Sequence, residues 1–225
     1  MIGNIFGAET SCRIQEIIQA NDKVVADFSC CVIPVKDNVL VHVDFIDAEN
    51  WDEIIFKTRD ILEACYMEAR ANPSFGVAVF IDEVHNFCPQ SPHEGAAGRE
   101  TYDIFIPLMK LLATTGPRNG IPLFIATQRL AEVDKFISTQ MGQNIFAFRI
   151  EYVDLDRLRN IVGNDVAYSA RLLPRGYCIY KGHALRIQRP VITVVEKIAD
   201  VASVGRDLLT RWMEQEIWSG ELVKP

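Results

Sequence analysis

Two adjacent carboxylates close an apolar run, and they are the sharpest chemical signal in the chain. Residues 76–81 read GVAVFI and are followed by Asp82 and Glu83. Charges leaving a hydrophobic strand are costly to desolvate and need a reason to be there. A run apolar on both faces predicts a central parallel strand, and the carboxyl edge of a parallel sheet is where ligands bind. At such an edge one acid can hold magnesium while the second takes a proton from an attacking water. Hydrolysis of a nucleoside triphosphate needs that division of labour. In that reading Asp82 is the metal acid and Glu83 the general base. An acid pair that merely caps the following helix explains the same residues, and the sequence leaves both open.

A second signal follows about 45 residues later, where the apolar run IPLFIAT ends in Gln128 and Arg129. Gln128 would arrive at the same sheet edge as the acids and could orient water or sense a terminal phosphate. A helix-start residue with a free side chain is the plain alternative. Between the two runs, TGPRNG at 115–120 is a rigid turn presenting Arg118, either as a solvated residue or as an arginine aimed at a neighbour's nucleotide. His85, Cys88 and His93 hold soft metal-ligand chemistry, but no fourth ligand accompanies them, so a loop is expected rather than zinc. The six cysteines form no CxxC pair and most lie in apolar stretches. They read as small buried hydrophobes in a reducing compartment.

Periodicity supplies the elements that must position these groups. It predicts helices over 10–20, 52–71, 101–114, 130–141, 154–162 and 204–218. Strands are expected over 23–35 and 39–46, joined by a turn at Lys36, Asp37 and Asn38. Buried strands are expected over 76–81, 121–127 and 144–150, and two more around 176–181 and 184–195. Strands alternating with helices predict an α/β fold with a mainly parallel sheet. The Pro- and Ser-containing stretch 89–98 reads as a mobile loop.

Composition narrows the classes. The chain has 225 residues, 49% hydrophobic and 24% charged, which fits a globular domain and excludes disorder over most of its length. No apolar run is long enough to cross a bilayer. The start, MIGNIFGAETSCR, lacks a cationic region followed by a long apolar core, so no cleaved signal peptide is expected. A net charge of −7 excludes a surface that is basic throughout, though not a local basic patch.

The strings VFIDEVHNFCP, TGPRNGIPLFIATQR, LAEVDK and NIFAFRI, in that order, resemble the HerA/FtsK superfamily of DNA-pumping ATPases, in particular its HerA branch. The resemblance runs over about residues 39–195, and GYCIYKGHALRIQRPV looks like the family's closing hairpin. It implies a RecA-like P-loop fold of the ASCE type, with Asp82 and Glu83 as the Walker B acids and Gln128 as the sensor. Arg118 would be the arginine finger, and Arg149 would face the nucleotide interface. It further implies magnesium and ATP as cofactors and a hexameric ring of identical subunits on double-stranded DNA. A nuclease partner also follows from it, while the reducing compartment read from the cysteines is expected to be the cytoplasm. Loops 90–99 and 171–175 would be the DNA-contacting candidates.

The family's phosphate loop has no counterpart here, because no GxxxxGK[ST] occurs. The string at 3–10, GNIFGAET, has the spacing but carries Glu9 where the lysine belongs, and a carboxylate there would repel the triphosphate. The chain is therefore expected to be the C-terminal part of such a motor, incomplete at its N-terminus and not hydrolysing ATP by itself. A missing strand would leave open edges beside the strands ending at Gln128 and Arg149, to be filled by strand 23–35 or by association. The expected organisation is a connector at 1–36, an ATPase core portion at 37–200 and a terminal helix at 201–225. A non-catalytic ring subunit and a viral or plasmid packaging ATPase are the alternatives.

Overall fold

The computed structural model describes residues 29–35, 38–44, 50–93, 97–142, 144–183, 186–187 and 189–195. The helices expected over 10–20 and 204–218, and the string at 3–10, lie outside the described residues. Helix α1 (Trp51–Ala71) is set by its ends. Asn50 accepts a hydrogen bond from the Glu53 N–H at 2.9 Å, Asp52 and Glu53 sit at the positive end of the helix dipole, and Arg70 lies in the last turn. Ile55, Leu62, Cys65, Tyr66 and Ala69 recur at helical spacing and are buried.

Strands β3 (Val79–Ile81) and β4 (Leu123–Ile125) pair in parallel, Phe80 opposite Phe124. They follow a hairpin of β1 (Ser29–Val35) and β2 (Asn38–Asp44), paired antiparallel from Ser29 opposite Asp44 to Val35 opposite Asn38. Among the described residues, 29–35 bond to β2 and not to β4 or β5, so of the two outcomes expected for the open edge, filling by this strand is not found. The boundary expected at 36/37 lies outside the described residues.

The crossover from β3 to β4 runs through the short helix α2 (Val84–Phe87), helix α3 (Arg99–Thr115) and a 3-10 turn (Gly116–Asn119). Gly116 is required there, since a Cβ would lie 2.5 Å from the Ile121 carbonyl oxygen. Helices α1, α3 and α4 (Lys135–Met141) bury one face of the parallel pair around Ile55, Ile81, Phe105, Met109, Leu123 and Ile137. On the other face Phe80 and Phe124 stack at 4.5 Å and remain 62% and 49% exposed. Among the described residues, helices therefore cover one face of the pair, not the two expected.

A second core gathers Ala147, Leu155, Leu158, Val162, Ala170 and Ile179. It lies between an antiparallel sheet, β5 (Asn144–Ala147), β6 (Tyr177–Gly182) and β7 (Val191–Val194) in that order, and helices α5 (Leu155–Val162) and α6 (Asn164–Ala170). The expected third parallel strand is thus corrected: β5 pairs antiparallel with β6. In β5 Phe146 is exposed while Ala147 is buried, the period-two pattern of a strand with one covered face. The described fold is mixed α/β, with one parallel pair instead of a mainly parallel sheet. The two cores are linked by the 3-10 turn Leu130–Glu132, where the Ala131 N–H donates to Asp154 at 2.7 Å and Leu130 packs into the second core.

Candidate functional site

The parallel pairing decides which side chains meet. Beyond the strands, the Ala126 N–H donates to the Ile81 carbonyl at 2.9 Å and the Val84 N–H to the Ala126 carbonyl at 3.0 Å. The two chain segments therefore stay in register past their ends, and Asp82 and Glu83 emerge beside Thr127 and Gln128. Gln128 Nε2 donates to Glu83 Oε1 at 2.6 Å. Its backbone N–H lies 3.5 Å from Oε2.

Glu83 is the single non-glycine residue with positive φ among the described residues, at φ 48° and ψ 45°. An L-residue pays roughly 1–2 kcal/mol for that left-handed conformation. The strand reaches α2 through this residue without an intervening loop, and the turn aims the carboxylate back at β4. Asp82 Oδ1 accepts the Glu83 N–H at 2.9 Å, and the Glu83 carbonyl accepts the Asn86 N–H at 3.0 Å. Glu83 occupies the cap position of α2 but makes no side-chain capping bond. The helix-capping alternative therefore fails for Glu83.

His85 and Thr127 complete the cluster, and sequence reasoning missed both in this role. His85 Nδ1 lies 3.0 Å from Thr127 Oγ1 and 3.3 Å from Glu83 Oε2, and Thr127 Oγ1 accepts the Arg129 N–H at 3.0 Å. The signal available was proximity: His85 stands two residues after Glu83 and Thr127 one before Gln128. Glu83 thus has acceptor contacts on both oxygens yet keeps a third of its side chain in solvent.

The soft-ligand string does not assemble. Cys88 is buried in the first core, its thiol pushed well above the ordinary value by burial first and by Asp134 second. His93 bonds the Ser91 carbonyl. Among the described residues no group of three or more His, Cys, Asp or Glu side chains could hold a metal ion. A lone exposed carboxylate such as Asp82 does suit magnesium, which takes one or two protein oxygens and completes its shell with phosphates and water.

Arg118 and Arg149 lie apart from the cluster. Arg118 is exposed in the turn that enters β4, at the opposite end of that strand from Gln128. Arg149 is exposed just past β5, on the antiparallel sheet of the second core. The stretch 89–98, expected to be mobile, is anchored at both ends. The Gln90 N–H donates to the Glu132 carbonyl at 2.7 Å, Ala97 to Asn86, and Gly98 to Asp52 at 2.8 Å.

No protein-family model matches this chain, and no curated protein matches it. Among solved structures it is similar to the genome packaging NTPase B204 from Sulfolobus turreted icosahedral virus 2 in complex with ATP-gammaS. The identity is 14% and the TM-score 0.47, over 67% of this chain and 65% of that one. The sulfate complex of the same NTPase gives a TM-score of 0.48 at 14% identity, again over 67% and 65% of the two chains. The DNA-packaging ATPase B204 from Sulfolobus Turreted Icosahedral Virus gives the same figures as the sulfate complex. The chain therefore spans just under two thirds of the length of these structures.

Proposed function

We propose that this chain carries the acid-and-amide half of a RecA-like nucleotide site in a DNA-moving ATPase of the HerA/FtsK type. One observation carries the reading: Glu83 and Gln128 are bonded across the ends of two parallel strands, with Asp82 beside them. Asp82 would hold magnesium, whose charge offsets that of the phosphates when bound. Glu83 would take a proton from water at a carboxylate oxygen, and Gln128 would hold that carboxylate and the water in line. Arg118 stands exposed at the opposite end of β4 from this chain's own cluster, where it would be free to serve a neighbouring subunit. Arg149, a hexameric ring, double-stranded DNA and a nuclease partner enter through the family resemblance, and a cytoplasmic setting through the unpaired cysteines. Helicase-type translocation and genome packaging both fall within this reading and differ in the DNA moved.

The lysine and glycines that bind β- and γ-phosphates are absent from the sequence, so hydrolysis by this chain alone is not expected. Isotope-labelled protein titrated with millimolar magnesium–ATP tests the reading. Resonances of Asp82, Glu83, Thr127 and Gln128 should shift, and an Asp82→Asn variant should abolish the magnesium-dependent part. Shifts confined to other residues, or none, would refute a nucleotide site and leave a non-catalytic ring subunit. Calorimetry adds a second check, since tight magnesium-dependent binding would contradict the incomplete phosphate half.

A further inference from the structure

Arginine and tyrosine alternate along one ridge of the second core, away from the acid–amide cluster. The Arg171 guanidinium lies over the Tyr152 ring at 5.0 Å, and that of Arg159 over Tyr168 at 4.6 Å. Arg159 also bonds the Tyr168 hydroxyl and is anchored by Asp156 at 2.5 Å. Tyr168 and Arg171 are three residues apart at the end of α6 and so share a face. The Arg171 backbone N–H donates to the Tyr168 carbonyl at 3.2 Å, so the two arginine–tyrosine pairs adjoin. Tyr152 and Tyr168 nonetheless remain 66% and 47% exposed, and Leu172 beside them is 85% exposed.

The charge around this ridge runs against that of the chain. Residues 144–195 hold eight Lys and Arg against four Asp and Glu, a net +4, which leaves −11 for the remainder of a chain whose total is −7. Arg171 and Arg175 are exposed and pair with no carboxylate among the described residues. An acidic protein would neutralise such arginines but would leave unused the exposed parts of the rings beside them. A nucleic-acid strand uses both: phosphates on the guanidinium edges, and unpaired bases on the ring faces.

We infer that this ridge is a nucleic-acid contact surface, with Arg171 and Arg175 taking phosphates and Tyr152 and Tyr168 stacking unpaired bases. This deepens the DNA-moving reading proposed above, and its test needs no nucleotide, so either can fail alone. Fluorescence anisotropy on the full chain, with a labelled oligothymidylate and a duplex of equal length, supplies the measurement across a salt series. The intact chain should bind both probes with salt-sensitive affinity. The Arg171→Ala/Arg175→Ala pair should lose about tenfold or more on both, with a salt slope shallower by roughly two ions. Tyr152→Ala should weaken the single strand about tenfold while leaving the duplex nearly unchanged. If the double variant does not fold, Arg175→Glu alone, at an exposed loop position, should give the same loss. Asp82→Asn should bind both probes as the intact chain does, even where it abolishes the magnesium–ATP shifts. No binding by the intact chain at low salt, or undiminished binding by the arginine variants, would overturn the inference. So would a loss of self-association in those variants with DNA affinity unchanged, which would make the ridge a subunit contact.

Discussion

Glu83 shows how one residue's backbone can be set by its chemistry. Its left-handed conformation is compensated by contacts its own carboxylate makes with Gln128 and His85, so the side chain and the strained turn support each other. Glycine and alanine at this position both delete the carboxylate, but only glycine adopts φ 48° without strain. Glu83→Gly should therefore be more stable than Glu83→Ala by about 1 kcal/mol. That corresponds to roughly 2–4 °C in a thermal melt for a chain of this size. Equal melting of the two variants would mean that the turn is not held left-handed in solution. The comparison isolates the backbone, since both variants lose the same hydrogen bonds.

At the level of elements, Asp134 is the residue on which α4 depends. Its carboxylate is buried, accepts the Ile137 N–H at 3.0 Å, and lies 3.6 Å from Lys110 Nζ on α3. Asp134→Ala removes the cap and the tie to α3 together, and should cost about 2–3 kcal/mol in denaturant unfolding. Asp134→Asn retains an acceptor and should cost clearly less; equal losses would show that charge, not capping, is what matters there. The same residue explains what the sequence disclosed and what it hid. Helix α1 was legible because its cap, its apolar stripe and the Asn72-Pro73 stop agree. The helix expected over 130–141 was drawn through Asp134, because apolar spacing continues across Val133 while the chain there is extended. Helix α6 went unread because it has only seven residues and follows Gly163, a break at φ 92°. The direction of β5 depends on its pairing with β6, more than thirty residues away, and local pattern does not encode it. The meeting of Glu83 and Gln128 was legible because parallel strands bring like ends together. The part played by His85 and Thr127 was not, since it follows from the turn at Glu83.

Over the molecule as a whole, the two cores differ in the chemistry they bury. The first holds Cys65 and Cys88, and burial is the largest cause of their raised thiol values, pushing Cys65 from 9.0 to about 12 and Cys88 well above 9.0. These thiols keep their protons in the folded chain at pH values where the unfolded chain releases them. Above pH 9 the unfolded state thus binds fewer protons, so stability is fully present below that pH and falls as pH rises. Each thiol contributes a slope of at most about 1.4 kcal/mol per pH unit. Denaturant unfolding of the intact chain should lose stability between pH 9 and 11, and Cys65→Ala, though less stable at neutral pH from its lost packing, should show a visibly shallower decline. Parallel pH profiles for the two proteins would show that the Cys65 thiol ionises as readily folded as unfolded, and hence that the sheath of α1 around the first core is open to water.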